Sequence, residues 1–203
     1  TGLVDVYLDN NQLGGTLPPG WADLPSLEYL HLDHNHINGT LPPQWGRMTA
    51  LRRLHLFTNH IDGTLPSEWA NMTCLIDLHL DNNNLSGTLP PQWANMTALQ
   101  YLYLDDNNIT GALLPQWNRL TALGRLYLST NKIDGTLPPE WATMTAVEYL
   151  HLDGNNISGT LPPQWGSMAG LGRLPLCQQY QRHATAGVGE HDKSSTSILA
   201  PIS

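Results

Sequence analysis

Apolar residues return along this chain in one repeated phrase. Setting each unit to begin at the first residue of Leu-x-x-Leu-x-Leu gives starts at Leu3, Leu27, Leu51, Leu75, Leu99, Leu123, Val147 and Leu171, each 24 residues after the last. Seven units are complete and an eighth is partial, so the chain is an array of repeats in which neighbouring units bury a shared core. Within a unit the apolar fourth and sixth positions alternate with polar third, fifth and seventh positions. That is the period of a strand with one buried face. In the fourth unit, Leu78 and Leu80 point inward, and Asp77, His79 and Asp81 point out.

After the strand, the ninth position is Asn in all seven units: Asn11, Asn35, Asn59, Asn83, Asn107, Asn131 and Asn155. An amide repeated at the point where the chain turns inward is expected to hydrogen-bond the backbone of the neighbouring coil, forming a ladder. Position thirteen is Gly throughout, which suits a turn closed to residues with a Cβ. The prolines that usually follow fix φ and remove donors, so this side is expected to be extended or 3₁₀-like, neither α-helix nor interior strand. Seven tryptophans, Trp21, Trp45, Trp69, Trp93, Trp117, Trp141 and Trp165, keep the same spacing. They are expected to stack in the core, each N–H finding a partner.

The pattern predicts a right-handed solenoid with a parallel sheet on its concave face and turn, 3₁₀ or extended segments on its convex face, the hand following the rule for parallel crossovers. The fifth unit departs from the pattern at Ala112 and Leu114, which predicts a local irregularity there. The array is expected to span residues 1–178 and a flexible tail residues 179–203, where the polar composition offers little to offset the entropy of ordering. Thr1-Gly2 stand where Thr49-Ala50 and Thr97-Ala98 precede later units, so the chain reads as beginning inside a repeat.

Nine Lys and Arg against 17 Asp and Glu give a formal charge of −8. That balance argues against nucleic acid, whose phosphates need a basic surface, and against an anionic membrane surface. No apolar run approaches the roughly 20 residues of a membrane span. Cys74 and Cys177 lie 103 residues apart, more than four units, which is roughly 20 Å in the stack and beyond disulfide reach.

Residues 99–111, Leu-Gln-Tyr-Leu-Tyr-Leu-Asp-Asp-Asn-Asn-Ile-Thr-Gly, resemble the plant-type leucine-rich repeat of the same length. The second half of the unit, Leu-Pro-Pro-Gln/Glu-Trp-x-x-Met-Thr-Ala, is similar to the repeats of kinetoplastid surface antigens, the promastigote surface antigen family. The resemblance covers about residues 1 to 176 and implies a leucine-rich repeat solenoid. It also implies a secreted or glycolipid-anchored cell-surface protein that recognises other proteins.

Stacking in register turns the outward strand positions into rows. The fifth-position row is Tyr7, His31, His55, His79, Tyr103, Tyr127 and His151; the seventh is Asp9, Asp33, Phe57, Asp81, Asp105, Ser129 and Asp153; the third is Asp5, Tyr29, Arg53, Asp77, Tyr101, Arg125 and Tyr149. Aromatic rings, imidazoles and arginines on an exposed sheet have the composition of a protein-binding surface, and the Asp row suits a partner with a basic patch. The plainer reading is duplication of a soluble strand with no ligand. Three chemical alternatives fit the same rows: a transition metal on His31, His55 and His79 with Asp33 or His34; calcium on the aspartates; and a nucleophile at Cys177 beside His151 and Asp153. None displaces non-catalytic recognition without a cofactor, a metal-binding or enzymatic use of the His and Asp rows being the alternative. Six Asn-x-Ser/Thr sequons occur, at Asn38, Asn71, Asn84, Asn95, Asn108 and Asn156, of which Asn71 and Asn95, on the convex side, are the better glycan acceptors.

Overall fold

A computed structural model describes residues 2–168 of the chain. Cys177, the partial eighth unit and the tail lie outside the described residues.

Each unit makes one coil, and each coil contributes a three-residue strand to a seven-stranded parallel sheet: Asp5–Tyr7, Tyr29–His31, Arg53–His55, Asp77–His79, Tyr101–Tyr103, Arg125–Tyr127 and Tyr149–His151. The pairing register advances by one unit at every step, as in Leu30 opposite Leu54 and His55 opposite His79. The inward leucines, from Leu30 and Leu54 to Leu126, are fully buried. Across the coil lie seven 3₁₀ helices of five residues, from Pro19–Asp23 to Pro163–Ser167. Six of them have Pro in the first turn, where the missing N–H has no intrahelical partner to lose.

The ladder asparagines tie coil to coil. Asn59 Nδ2 donates to the carbonyls of Leu32, one coil back, and of Leu56 and Phe57 in its own coil, while its Oδ1 accepts from the backbone N–H of Ile37. The same pattern holds at Asn35, Asn83, Asn107, Asn131 and Asn155. The side chain of Asn11, in the first coil, bonds the carbonyls of Leu8 and Asp9 in its own coil.

The indoles form a second ladder. Trp45, Trp69, Trp93 and Trp117 are fully buried, and successive rings from Trp21 to Trp117 stack nearly parallel with centroids 6.2–6.4 Å apart. Each Nε1–H from Trp45 onward donates to the carbonyl that opens the preceding 3₁₀ helix, for example Trp69 to Pro42 at 2.9 Å. Trp21 is only half-buried. The stack resumes between Trp141 and Trp165. The step between Trp117 and Trp141 is not among the stacked pairs, although Trp141 still donates to the carbonyl of Leu114. Leu114 stands where most coils have Pro, and its φ of −97° departs from the −63° to −74° of those prolines. The irregularity expected of the fifth unit is therefore located at this step.

Two features were not expected from the pattern. Residues beside the glycine of position thirteen pair as a second set of short parallel strands, Gly14–Thr16 with His36–Thr40 and His60–Asp62, and Thr110–Ala112 with Lys132–Asp134. Isolated bridges such as Thr88 to Thr110 extend the same line. The turn after each concave strand also carries a left-handed residue at position eight: Asn10, His34, Thr58, Asn82, Asp106 and Thr130 have φ of 51–54°, and Gly154 has 67°. At Thr58 and Thr130 a branched Cβ occupies that region, a strained choice that the surrounding ladder holds in place.

Position thirteen shows why glycine is invariant there. Gly63 has a φ of +73°, and a Cβ on it would lie 2.7 Å from Thr40 Cγ2 of the preceding coil. Gly135 has a similar φ of +75° but faces Ala112, whose Cβ would be 3.1 Å away. Gly63→Ala is expected to cost about 2 kcal/mol and Gly135→Ala about 1 kcal/mol, because the second adds little clash to the conformational strain. Urea unfolding of the two variants checks the difference.

Candidate functional site

The concave strands alternate inward leucine with outward polar and aromatic residues, so three rows face outward as expected from the register. In the fifth-position row all seven rings touch their neighbours. The centroid spacings are 4.8 Å for Tyr7 to His31, 4.1 Å for His31 to His55 and 4.3 Å for His55 to His79. They continue at 4.0 Å for His79 to Tyr103, 4.7 Å for Tyr103 to Tyr127 and 4.0 Å for Tyr127 to His151. A continuous ribbon of rings thus runs the length of the sheet.

The third-position row sets guanidinium groups against tyrosines. Arg53 lies over the Tyr29 ring at 5.6 Å, and Arg125 sits between Tyr101 at 5.5 Å and Tyr149 at 4.9 Å. These contacts hold long side chains flat on the sheet and leave them preorganised. In the seventh-position row Phe57 packs against His34 and reaches the rings of His55 and His79. His34 therefore packs with Phe57 and not with His31, His55 and His79, the group expected to share a metal with it. Further along, Asp105 Oδ1 accepts the Ser129 N–H at 2.7 Å, and Ser129 Oγ donates to Asp153 at 2.6 Å.

The central charges are unevenly solvated. Burial pushes the Asp33 carboxyl up, and burial with the neighbouring His55 pushes the His31 imidazole down. For Asp77, burial would raise the carboxyl, but contacts from His55 and His79 outweigh it and hold the group well below the usual carboxylate range. Asp105 has no imidazole in such contact: burial, with Asp81 and Asp106 adding repulsion, pushes it up to about 6.

The Asp105 shift has a defined sign. Between the ordinary 3.8 and about 6 the folded chain holds a proton that the unfolded chain has released, so stability falls as pH rises through this window and stays lower above it. Asp105→Asn keeps an oxygen to accept the Ser129 N–H and removes the buried charge. It is expected to raise unfolding free energy by about 1 kcal/mol near neutral pH, partial solvation reducing the effect, and to change nothing below the ordinary carboxylate pKa. Urea titrations at both pH values measure it.

The sequons occupy two regions. Asn71 and Asn95 end exposed 3₁₀ helices on the convex side. Asn38, Asn84 and Asn156 are exposed on the flank, whereas Asn108 is half-buried and its Nδ2, the atom a glycan would modify, donates to Asn84 Oδ1 at 2.9 Å. Cys74 is exposed and unpaired. The pairing of Cys177 with His151 and Asp153 falls outside the described residues. Among those described, no helix is long and apolar enough to cross a membrane.

What sequence reasoning missed is the bridging of two imidazoles by Asp77. His55 Nε2 lies 3.2 Å from Asp77 Oδ2, and His79 Nε2 lies 2.8 Å from Asp77 Oδ1. The row arithmetic placed Asp77 beside Arg53 and Tyr101, and those are its register partners. The signal available was Asp-x-His-x-Asp in the fourth strand, with His at the same position one unit earlier.

Two family models, both described as leucine rich repeat, match residues 1–61 and residues 74–96, 98–120 and 146–168, together more than half of the chain. Among curated proteins no relative matches the chain. Solved structures do. A plant peptide hormone receptor, RGFR1 in complex with RGF2, is 31% identical with a TM-score of 0.82, over 83% of this chain and 27% of that one. The ectodomain of the Arabidopsis receptor kinase HAESA, in complex with an extended IDA peptide hormone, is 35% identical with a TM-score of 0.74, over 78% of this chain and 27% of that one. Pollen Receptor Kinase 3 is 28% identical with a TM-score of 0.70, over 77% of this chain and 76% of that one. The chain spans about a quarter of the length of the first two structures. It belongs to the leucine-rich repeat family and is of the plant type.

Proposed function

We propose that this chain is a non-catalytic recognition domain that binds a protein or peptide along its concave sheet. The observation that carries this reading is the continuous ribbon of seven touching rings flanked by tyrosine-held arginines. Such a surface offers large, rigid, amphipathic area at small entropic cost, the property shared by binding hot spots. The binding residues are Tyr29, Arg53, Tyr101, Arg125 and Tyr149 in one row, His31, His55, His79, Tyr103, Tyr127 and His151 in the next, and Asp33, Phe57, Asp81, Asp105 and Asp153 in the third. Net charge and the Asp row favour a partner with a basic patch. The similar receptor structures hold the peptides RGF2 and IDA, which supports a polypeptide ligand here.

The same similarity supports an extracellular or cell-surface location. The Trp-x-x-Met-Thr-Ala half of the unit supports the narrower reading of a surface antigen, on which Asn71 and Asn95 would carry glycans clear of the concave face. Selection of a displayed random-peptide library against the chain tests the site. Enriched peptides are expected to lose at least tenfold in affinity for the Tyr103→Ala/Tyr127→Ala variant and none for a convex Gln92→Ala variant. Peptides that bind both variants as well as the parent chain would sink the proposal.

A further inference from the structure

We propose that His55, Asp77 and His79 form a binding site for a divalent transition-metal ion of the zinc type on the concave sheet. The proposal is independent of which polypeptide the face recognises. Asp77 and His79 are alternate residues of one strand, so both side chains leave the same face. His55 lies opposite His79 on the adjacent strand. The three donor atoms lie within 4.8 Å of one another.

The spacing is close to that of a coordination shell. Two ligands bonded to zinc at about 2.0 Å in tetrahedral geometry are roughly 3.3 Å apart. The two imidazole Nε2 atoms stand 3.2 and 2.8 Å from the Asp77 oxygens. The shorter approach does not serve as a hydrogen bond: Asp77 Oδ1 is buried without a hydrogen-bond partner despite the nearby His79 nitrogen. His55 Nε2 shares a hydrogen bond with Asp77 Oδ2, so a bound cation replaces that one bond and engages the orphaned Oδ1, at a small adjustment of side chains held by ring contact.

The surroundings complete the arrangement. His79 presents its other nitrogen, Nδ1, toward Asp81 Oδ1 at 3.9 Å, and that oxygen is also buried and unpartnered. A carboxylate behind a metal-bound imidazole fixes its tautomer and raises its basicity, so Asp81 is the positioning residue of the site. Two imidazoles and one carboxylate suit zinc, copper or nickel and leave a fourth position open to the concave side for water. Calcium and magnesium, which prefer all-oxygen shells, are excluded by the donor set. A neighbouring group, His31, Asp33 and His55, shares His55, so the two groups compete for one ligand.

Calorimetric titration of zinc into the tag-free full chain tests the assignment. One ion per chain is expected. Binding should be lost in His79→Ala and in the near-isosteric Asp77→Asn, about tenfold weaker in Asp81→Asn, and retained in His31→Gln. His55→Phe, which keeps a ring in the stack, should also lose it, and far-UV circular dichroism should show each variant folded. Cobalt should give visible d–d absorption in the parent chain only when His55 and His79 are both present, and calcium should give no heat. Absence of zinc binding, binding that survives both His55→Phe and His79→Ala, or binding abolished by His31→Gln would each overturn the site.

Discussion

Trp93→Ala is expected to lower the free energy of unfolding by about 4 kcal/mol. Trp93 is fully buried, stacks on Trp69 and on Trp117 with centroids 6.4 Å apart on both sides, and donates its Nε1–H to the Pro66 carbonyl at 2.9 Å. Truncation removes the hydrophobic area of an indole and leaves a cavity between two rigid neighbours that cannot close over it. It also removes the shorter of the two hydrogen bonds to the Pro66 carbonyl, which keeps only the Trp69 N–H at 3.3 Å. Trp93→Phe separates the two contributions, since it retains most of the ring and loses the N–H; its expected cost is about 2 kcal/mol. Urea unfolding followed by far-UV circular dichroism measures both. Equal losses for Phe and Ala would mean that the hydrogen bond, and not the stack, holds this side of the coil.

Asn107→Ala should be nearly as damaging, at about 3 kcal/mol, although it deletes only an amide. Nδ2 of Asn107 donates to the carbonyls of Leu80, Leu104 and Asp105, and its Oδ1 accepts the N–H of Leu85. The leucines around these groups are fully buried, so water cannot replace the lost partner. Asn107→Asp supplies the acceptor in the same shape but cannot donate. It is expected to cost at least as much as Ala, and tolerance of Asp would show that the turn is solvated enough to dispense with the donors.

Much of the scaffold was legible because the repeat samples each position seven times. The ladder role of Asn107, the turn at Gly63 and the burial of Trp93 each follow from one residue type recurring where only one kind of contact is available. Even the fault between Trp117 and Trp141 was signalled, by Leu114 in place of proline. The second set of short strands was not legible, because a segment such as Gly14–Thr16, centred on glycine, carries no alternation and owes its pairing to the stacking of coils. Nor was the left-handed turn at Thr58 and Thr130, where the residue type argues against the conformation and the surrounding hydrogen bonds impose it. For the concave site, row membership was readable to the residue. The bridge from Asp77 to His55 and His79 was not, since it depends on side chains leaning diagonally between rows, which spacing alone does not specify.

The bonds that join coil to coil in the two ladders all link the side chain of one coil to the backbone of the coil before it. Each coil from the second to the seventh is thus anchored to the one before it through the same pair of hydrogen-bonded joints. A unit of this length can be inserted or deleted without altering any other joint, and the effect is to move whole blocks of the outer face apart by one strand width. The distance between the histidine-rich half and the tyrosine-rich half of the face is in this sense an adjustable ruler, which duplication lengthens one notch at a time while leaving the chemistry at either end unchanged.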